Sequence, residues 1–372
     1  MKYLNTPDYK HDSLPCTGVL ITNLGTPDAA TVPALRRYLA EFLSDPRVIE
    51  TPKWIWWFIL HGVILRIRPP RSAKAYQEVW TSEGSPLLTI SLQQQQALQA
   101  ELQERVSGPV RVEVAMRYGN PSIASALEKL RAANARRILL FPLYPQYSAA
   151  TTASTFDAVA DYFRQCRWVP ELRMINHYHD HPGYIEALAN SIQQHWQAHG
   201  KPDKLLFSFH GLPKDYFLAG DPYHCECHKT ARLVAEKLEL DQDDWITTFQ
   251  SRFGPREWLQ PYTDFTLKEL GSSGVKSVHV ICPGFSADCL ETLEEIRLQN
   301  RDFFLEAGGQ EFDYIPALND STEHINVLAD IVALHSQGWP EFDNARDMEA
   351  VQKDLLATEQ RATKLQQVRT TS

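Results

Sequence analysis

Leu205-Leu206-Phe207-Ser208-Phe209-His210-Gly211-Leu212-Pro213 is the stretch from which the fold can be read. Five of its first six residues are apolar or small, and it is bounded by Lys204 and a Gly-Leu-Pro turn. That pattern predicts a strand buried on both faces. His210 then falls where the strand gives way to a loop. In open parallel α/β sheets, ligands bind just outside the carboxyl ends of the strands. A lone histidine at such a place more commonly hydrogen-bonds locally and closes the strand. A second stretch shifts the weighing. Pro283-Gly284-Phe285-Ser286-Ala287-Asp288-Cys289-Leu290-Glu291-Thr292-Leu293-Glu294-Glu295 also begins at a strand end, and it runs into a helix loaded with carboxylates.

Working outward, apolar strands alternate with helical patterns along the whole chain. Strands are predicted at Gly18 to Thr26, Val110 to Met116, Arg137 to Phe141 and Leu172 to Asn176. Four more follow at Lys204 to Phe209, Trp245 to Gln250, Ser277 to Cys282 and Phe312 to Ile315. Helical periodicity separates them, for example at Val32 to Leu43, Ser91 to Arg105, Thr230 to Leu238, Gln260 to Leu270 and Leu290 to Asn300. Alternating strand and helix means right-handed βαβ units and parallel sheets. Eight strands divide into four and four. The expectation is an α/β protein of two similar Rossmann-like, doubly wound domains with a cleft between them. The first domain is placed at 1–180 and the second, with His210 and Glu291, at 181–320. Residues 321–372 supply a closing helix to about 334, packed back on the first domain, and a polar tail without enough apolar surface to be core.

The totals narrow the class. A chain of 372 residues, 43% hydrophobic and 22% charged, is an ordinary globular protein long enough for two domains. Its net charge of −9 argues against a nucleic-acid binder. Six scattered cysteines are no disulfide framework, and the first eight residues contain no apolar secretory core. Both point to a reducing, cytoplasmic compartment. No G-x-G-x-x-G or Walker motif is present, which counts against dehydrogenases and kinases.

One segment is out of character. Trp54-Ile55-Trp56-Trp57-Phe58-Ile59-Leu60-His61-Gly62-Val63-Ile64-Leu65 is too short to span a bilayer. Lys53 precedes it, and Arg66, Arg68 and Arg71 follow. Tryptophans beside cations suit a membrane-facing lip, placed at 53–71; a buried core helix is the competing reading.

Glu291, Glu295 and Gln299 stand at i, i+4 and i+8 and share one face of an α-helix, with Asp288 placed as its N-cap. A carboxylate row alone is usually a solvated face. Here Glu291 falls in the first turn after a strand end, facing the expected cleft. Buried carboxylates side by side attract a proton or a cation, and an imidazole beside them suits iron. His210, Glu291 and Glu295 are therefore candidate metal ligands. His224-Cys225-Glu226-Cys227-His228 also looks metal-like, but no second Cys pair follows at zinc spacing, so adventitious binding is the favoured reading.

Five segments together carry a resemblance to the ferrochelatase family, in its proteobacterial protoporphyrin type. They are Leu143-Tyr144-Pro145-Gln146-Tyr147-Ser148, Ser208-Phe209-His210-Gly211-Leu212-Pro213, Gly220-Asp221-Pro222-Tyr223, Phe249-Gln250-Ser251-Arg252-Phe253-Gly254-Pro255 and Cys282 to Leu293. The resemblance covers about Gly18 to Leu334 and implies a chelatase-like fold and insertion of Fe2+, as substrate, into protoporphyrin IX. It casts His210 and Glu291 as the catalytic pair, and Asp288, Glu295 and Gln299 as a proton or metal path. It places Tyr118, Tyr223, Trp258 and Phe285 along the macrocycle and Arg68 and Ser85 near the porphyrin propionates. Leu24 stands where coproporphyrin-using relatives tend to have Tyr, and so favours protoporphyrin. Cys289 occupies a position that is His in animal members. Those members hold a [2Fe–2S] cluster through a cysteine at the position of Ala149 and three in a C-terminal extension; this tail has no cysteine, so no cluster and no tightly bound cofactor are expected. The expected setting is cytoplasmic, peripherally attached to the inner membrane surface, with no nucleic-acid partner. Two alternatives stand beside this reading. One is a chelatase for coproporphyrin III or sirohydrochlorin; the other is a non-catalytic tetrapyrrole or metal carrier, which would need the pocket but not the His210–Glu291 pair.

Overall fold

The computed structural model describes residues 3–4 and 12–370. Of the first eight residues, on which the expectation of no secretory signal rests, 1–2 and 5–8 lie outside the described residues.

All eight strands form where alternation and apolar runs place them. β1 (Cys16–Thr26), β2 (Val110–Gly119), β3 (Ala135–Pro142) and β4 (Glu171–Met174) make one sheet in the order β2-β1-β3-β4. β5 (Lys204–His210), β6 (Trp245–Gln250), β7 (Ser277–Ile281) and β8 (Glu311–Ile315) make a second in the order β6-β5-β7-β8. Every pairing is parallel, so the two halves repeat one topology.

Thirteen α-helices cover the sheets among the described residues: α1 (Val32–Phe42), α2 (Lys53–Ile59), α3 (Leu65–Val79), α4 (Pro86–Arg105), α5 (Ile123–Ala132), α6 (Ser154–Phe163), α7 (Pro182–His199), α8 (Lys214–Leu218), α9 (Tyr223–Lys237), α10 (Thr263–Ser272), α11 (Arg301–Glu306), α12 (Thr322–His335) and α13 (Met348–Thr370). Period-two alternation sends side chains to two different cores. On β1, Val19 and Ile21 join a core shared with Leu205, Phe207 and Phe209 of β5, while Leu20 faces an outer core under α5 and α6. On β5, Leu206 faces another outer core with Val278, Val280 and Phe304. One apolar core thus runs between the sheets, and α12 contributes Ile325, Leu328 and Val332 to it. α12 packs against α4 of the first half and α7 of the second.

Three sequence expectations change. The helix expected from Thr230 begins at Tyr223, because Asp221 Oδ1 accepts the Tyr223 N–H at 3.0 Å and starts the turn early. The helix expected at Leu290 to Asn300 winds as a π-helix over Glu291–Asn300. The segment after Gly338 is not wholly peripheral. Trp339 and Glu341 are buried, and Glu341 receives Thr17 Oγ1 at 3.0 Å and Arg137 at 3.0 Å. An average over a polar tail hides two anchoring residues.

The Trp-rich segment folds as α2, a π-turn (Leu60–Ile64) and the start of α3. The core-helix reading fails, because Trp54, Trp57 and Phe58 are 71%, 55% and 66% exposed. Leu60 and Leu65 are buried, and Trp56 is held by its Nε1–H donating to Leu43 O at 2.6 Å. No described helix is long and apolar enough to cross a membrane.

Candidate active site

His210 is the last residue of β5, paired in register with Gln250 of β6. Its Nδ1 lies 2.7 Å from Gly211 O. A carbonyl oxygen only accepts, so Nδ1 carries the hydrogen, and in the neutral ring Nε2 holds the lone pair. Gly211 is needed for this turn. A Cβ there would stand 2.6 Å from Gln250 O and 3.1 Å from the Trp258 ring. His210 and Glu291 line one cavity at the carboxyl ends of both sheets. Leu24, Leu143 and Tyr144 come to it from the first half, and Tyr223 and Phe285 from the second.

A short relay ties the strand to the π-helix. Ser208 Oγ donates to Gln250 Oε1 at 2.7 Å, and Gln250 Nε2 donates to Glu291 O at 2.8 Å. The buried polar atoms of the two strand ends therefore fix where Glu291 begins its turn. Glu295 accepts the Ser251 N–H at 2.8 Å and also the Ser251 hydroxyl. Ser251 sits at φ 65°, a left-handed conformation that costs a non-glycine residue about 1–3 kcal/mol. Burial pushes the Glu295 carboxyl up; Ser251 and His210 oppose the shift, and Glu291 adds to it. Burial likewise raises Glu294, with Gln299 opposing. A base with its lone pair free and a carboxyl inclined to hold a proton thus share one electrostatic neighbourhood.

The π-helix breaks the expected row. Its bonds run i to i+5, and side chains follow that spacing: Gln299 Nε2 donates to Glu294 Oε1 at 2.5 Å. Gln299 is exposed and pairs with Glu294, while Glu291 lines the cavity and Glu295 is held behind it by Ser251. Asp288 does not cap the helix through a backbone N–H. It receives Tyr314 Oη at 2.5 Å, Asn319 Nδ2 at 2.8 Å and Thr292 Oγ1 at 2.9 Å. Thr292 is the reason: its hydroxyl takes the Cys289 N–H at 3.0 Å and presents its own hydrogen to Asp288.

The remaining candidates stand behind or beside the cavity rather than on its wall. Tyr118 is fully buried and donates to Asp45 Oδ2 at 2.8 Å. Ser85 is buried and accepts from Thr26 Oγ1 at 2.7 Å. Trp258 packs behind Gly211, with Nε1–H on Phe253 O at 3.0 Å. Arg68 lies over the Phe253 ring at 5.1 Å; burial lowers its pKa, with Glu291 opposing. His224 to His228 does not converge on one point. His224 stacks on Phe249, Cys225 is exposed, Cys227 is buried, and Glu226 accepts the Tyr147 N–H at 2.7 Å.

Sequence reasoning missed Gln250, Ser251 and Glu294 as site residues. The first two lie in Phe249-Gln250-Ser251, directly after a predicted strand, and that position was the available signal. Glu294 carried none, since its burial follows from the π-winding.

The ferrochelatase family model matches residues 16–336. A ferrochelatase of Thioalkalivibrio sulfidiphilus is 57% identical over 362 residues, covering 97% of this chain and 98% of the relative. Those of Marinobacter nauticus and Nitrosococcus oceani are each 55% identical, covering 97% of this chain and 97% and 98% of the relatives.

Proposed function

The chain belongs to the ferrochelatase family, and from that premise we propose how its own residues insert Fe2+ into protoporphyrin IX. The reaction gives protohaem, the end of haem biosynthesis, and releases two protons. Neither a different tetrapyrrole nor a carrier role is favoured by relatives this similar.

A free porphyrin is planar and holds two N–H protons where the metal must go. His210 Nε2 accepts a pyrrole proton, because its Nδ1–H is already committed to Gly211 O. Glu291, on the same cavity, assists with the second proton or with the arriving cation. Glu295, raised by burial, takes protons onward from the cleft. Leu24, Tyr223 and Phe285 grip the macrocycle, and Arg68 neutralises carboxylate at its edge. Asp288, with its acceptors filled, positions the helix instead of conducting. Gln299, paired with Glu294, marks an outer end of the route. Single-orientation anchoring of His210 is the observation that carries this reading.

The exposed rings of α2, flanked by Lys53, Arg66 and Arg71, rest on the cytoplasmic face of the inner membrane. Ala149 and the cysteine-free tail support a chain without a [2Fe–2S] cluster.

The test is anaerobic mixing of purified protein, Fe2+ and protoporphyrin, followed by the absorbance of haem. Binding of porphyrin without turnover would return the carrier reading. Stoichiometric acid-labile sulfide in the same preparation would overturn the cluster-free assignment.

A further inference from the structure

Toward the amino end of the second sheet, away from the cleft, a group of side chains on the face that meets α7 is left without a role by the reaction. His279 of β7 and Asp313 of β8 are register partners and so point to the same face. That face is otherwise apolar, carrying Ile281 and Ile315 into the shared core. Across from them, α7 presents His195 and His199, one turn apart. Three imidazoles thereby surround a single oxygen. Asp313 Oδ2 lies 3.5 Å from His279 Nε2, 3.7 Å from His195 Nε2 and 3.6 Å from His199 Nδ1.

These distances are too long for hydrogen bonds. Among the described residues, His195 Nε2, the atom that faces Asp313, is buried with no hydrogen-bond partner. A buried ring nitrogen normally finds one. The distances fit something else. Four donors about 2.0–2.1 Å from a tetrahedral cation stand about 3.4 Å from one another. His195, His279 and Asp313 already offer atoms all within 4.8 Å of one another, and His199, outside that group but 3.6 Å from Asp313 Oδ2, is the fourth donor that an arriving ion would draw in. Burial holds His279 down to about 4 and also lowers His195, so both rings are neutral ligands, not cations, near pH 7.

We propose that His195, His199, His279 and Asp313 form a second metal site, apart from the cleft, that takes one first-row divalent cation and clamps α7 to the β7–β8 edge. His279 is level with Leu205 on β5, five residues before His210, or about 16 Å along the strand. The donor set, three imidazoles and a carboxylate, suits Zn2+, Co2+ or Fe2+ and not Mg2+ or Ca2+. His199 and Asp313 are half-exposed and give the ion a way in. The other histidine group, His177, His179 and Glu226, is a weaker candidate, because Glu226 is already engaged by the Tyr147 N–H and by His177 at 2.7 Å.

The experiment uses the full chain with Co2+ or Zn2+ alone and no porphyrin. In a His210→Ala, Glu291→Gln background, which silences the cleft, one Co2+ per chain should bind with the intense visible bands of tetrahedral coordination. Zn2+ should raise the melting temperature of that protein. Adding His199→Ala and Asp313→Asn, two positions open enough to keep the fold, should weaken binding at least tenfold and abolish both signals. In the otherwise native chain the same two changes should leave iron insertion within about twofold. Weak octahedral bands, no bound ion, or binding unaffected by the two changes would each overturn the site. Insertion reduced more than about threefold would overturn its separation from the cleft.

Discussion

The two sheets have the same strand order, yet the mouths they present differ. The first half brings Leu24, Leu143 and Tyr144 to the cavity; the second brings His210 and Glu291, with Glu295 beside them. Each half also has a buried carboxylate as a hub. Asp45 accepts Tyr118 Oη at 2.8 Å and Ser154 Oγ at 2.6 Å and pairs with Arg117 at 2.5 Å. Burial works to raise it, but hydrogen bonds from Ser154, the Arg47 N–H and Tyr118, with the Arg117 charge, hold it below the usual carboxylate range. Asp288 has only neutral donors among the described residues: Tyr314, Thr292, Asn319 and the Ala317 N–H. One hub is a local ion pair under a wall. The other, built from neutral groups, seats the helix that carries Glu291. A repeated topology thus hosts unrepeated chemistry, and the chemistry gathers where the backbone departs from ideal form, at Ser251 and the π-helix.

Exchanging chemistry for wall is the hardest way to break this comparison. His210→Ala should cut insertion ~100- to 10,000-fold, the usual worth of a positioned base, while porphyrin affinity stays near native. Glu291→Gln should also lose activity with the fold kept. Leu24→Ala should raise the Michaelis constant several-fold and leave kcat nearly unchanged, since it trims binding surface only. Steady-state kinetics with a porphyrin-binding titration separate these outcomes. A Leu24→Ala loss in kcat as deep as that of His210→Ala would erase the division between halves.

Much of this division was legible in the chain. Apolar runs ending in His210 and in Pro283-Gly284 located both strand ends, because buried parallel strands cannot hide their composition. The eight strands followed from the same rule. What was not legible is the winding of Glu291–Asn300. Spacing at i, i+4 and i+8 presumes 3.6 residues per turn, and no residue type announces a π-helix. Gln299 was therefore placed on the wrong neighbours, and Glu294 was overlooked. Asp288 was misread for a related reason: an Asp before a helix signals a cap, but Thr292 four residues on reaches its carboxylate first.

The hubs give the next test. Asp45→Ala strands Arg117, and Asp288→Ala strands Tyr314 and Asn319, so each should cost about 3 kcal/mol in urea unfolding. Insertion, measured where both variants remain folded, should survive the first change better than the second, which loosens the base of the Glu291 helix. Equal kinetic damage from both would show that the hubs serve stability alone.

A pH titration sharpens the same contrast at His324. This ring sits under the Asp288 network, with Nδ1 2.6 Å from Asn319 O, and burial drives its pKa down to about 4. The folded chain holds it neutral while the unfolded chain takes up a proton below about pH 6.5. Its contribution is thus complete above pH 6.5 and erodes as pH falls toward 4, by about 3 kcal/mol in all. His324→Gln should flatten the acid loss of stability by that amount. An unchanged slope between wild type and variant rules the ring out as its source.

The last contrast lies at the lip, where the first half departs from its own role as wall. Trp57 and Phe58 are mostly exposed, whereas Trp56 is tied to Leu43 O. Changing Trp57 and Phe58 to Ser removes apolar area that no protein group covers. Each partly embedded ring is worth about 1 kcal/mol, so association with anionic liposomes should weaken about ten- to thirtyfold, with the urea midpoint unmoved. Trp56→Ser should do the reverse, lowering stability through the lost Nε1 hydrogen bond and sparing most of the liposome binding. High salt should weaken the wild-type association as well, because Lys53, Arg66 and Arg71 lie exposed around the rings. Should the Trp57 and Phe58 variant sediment with liposomes as wild type does, the exposed rings serve something other than a lipid surface.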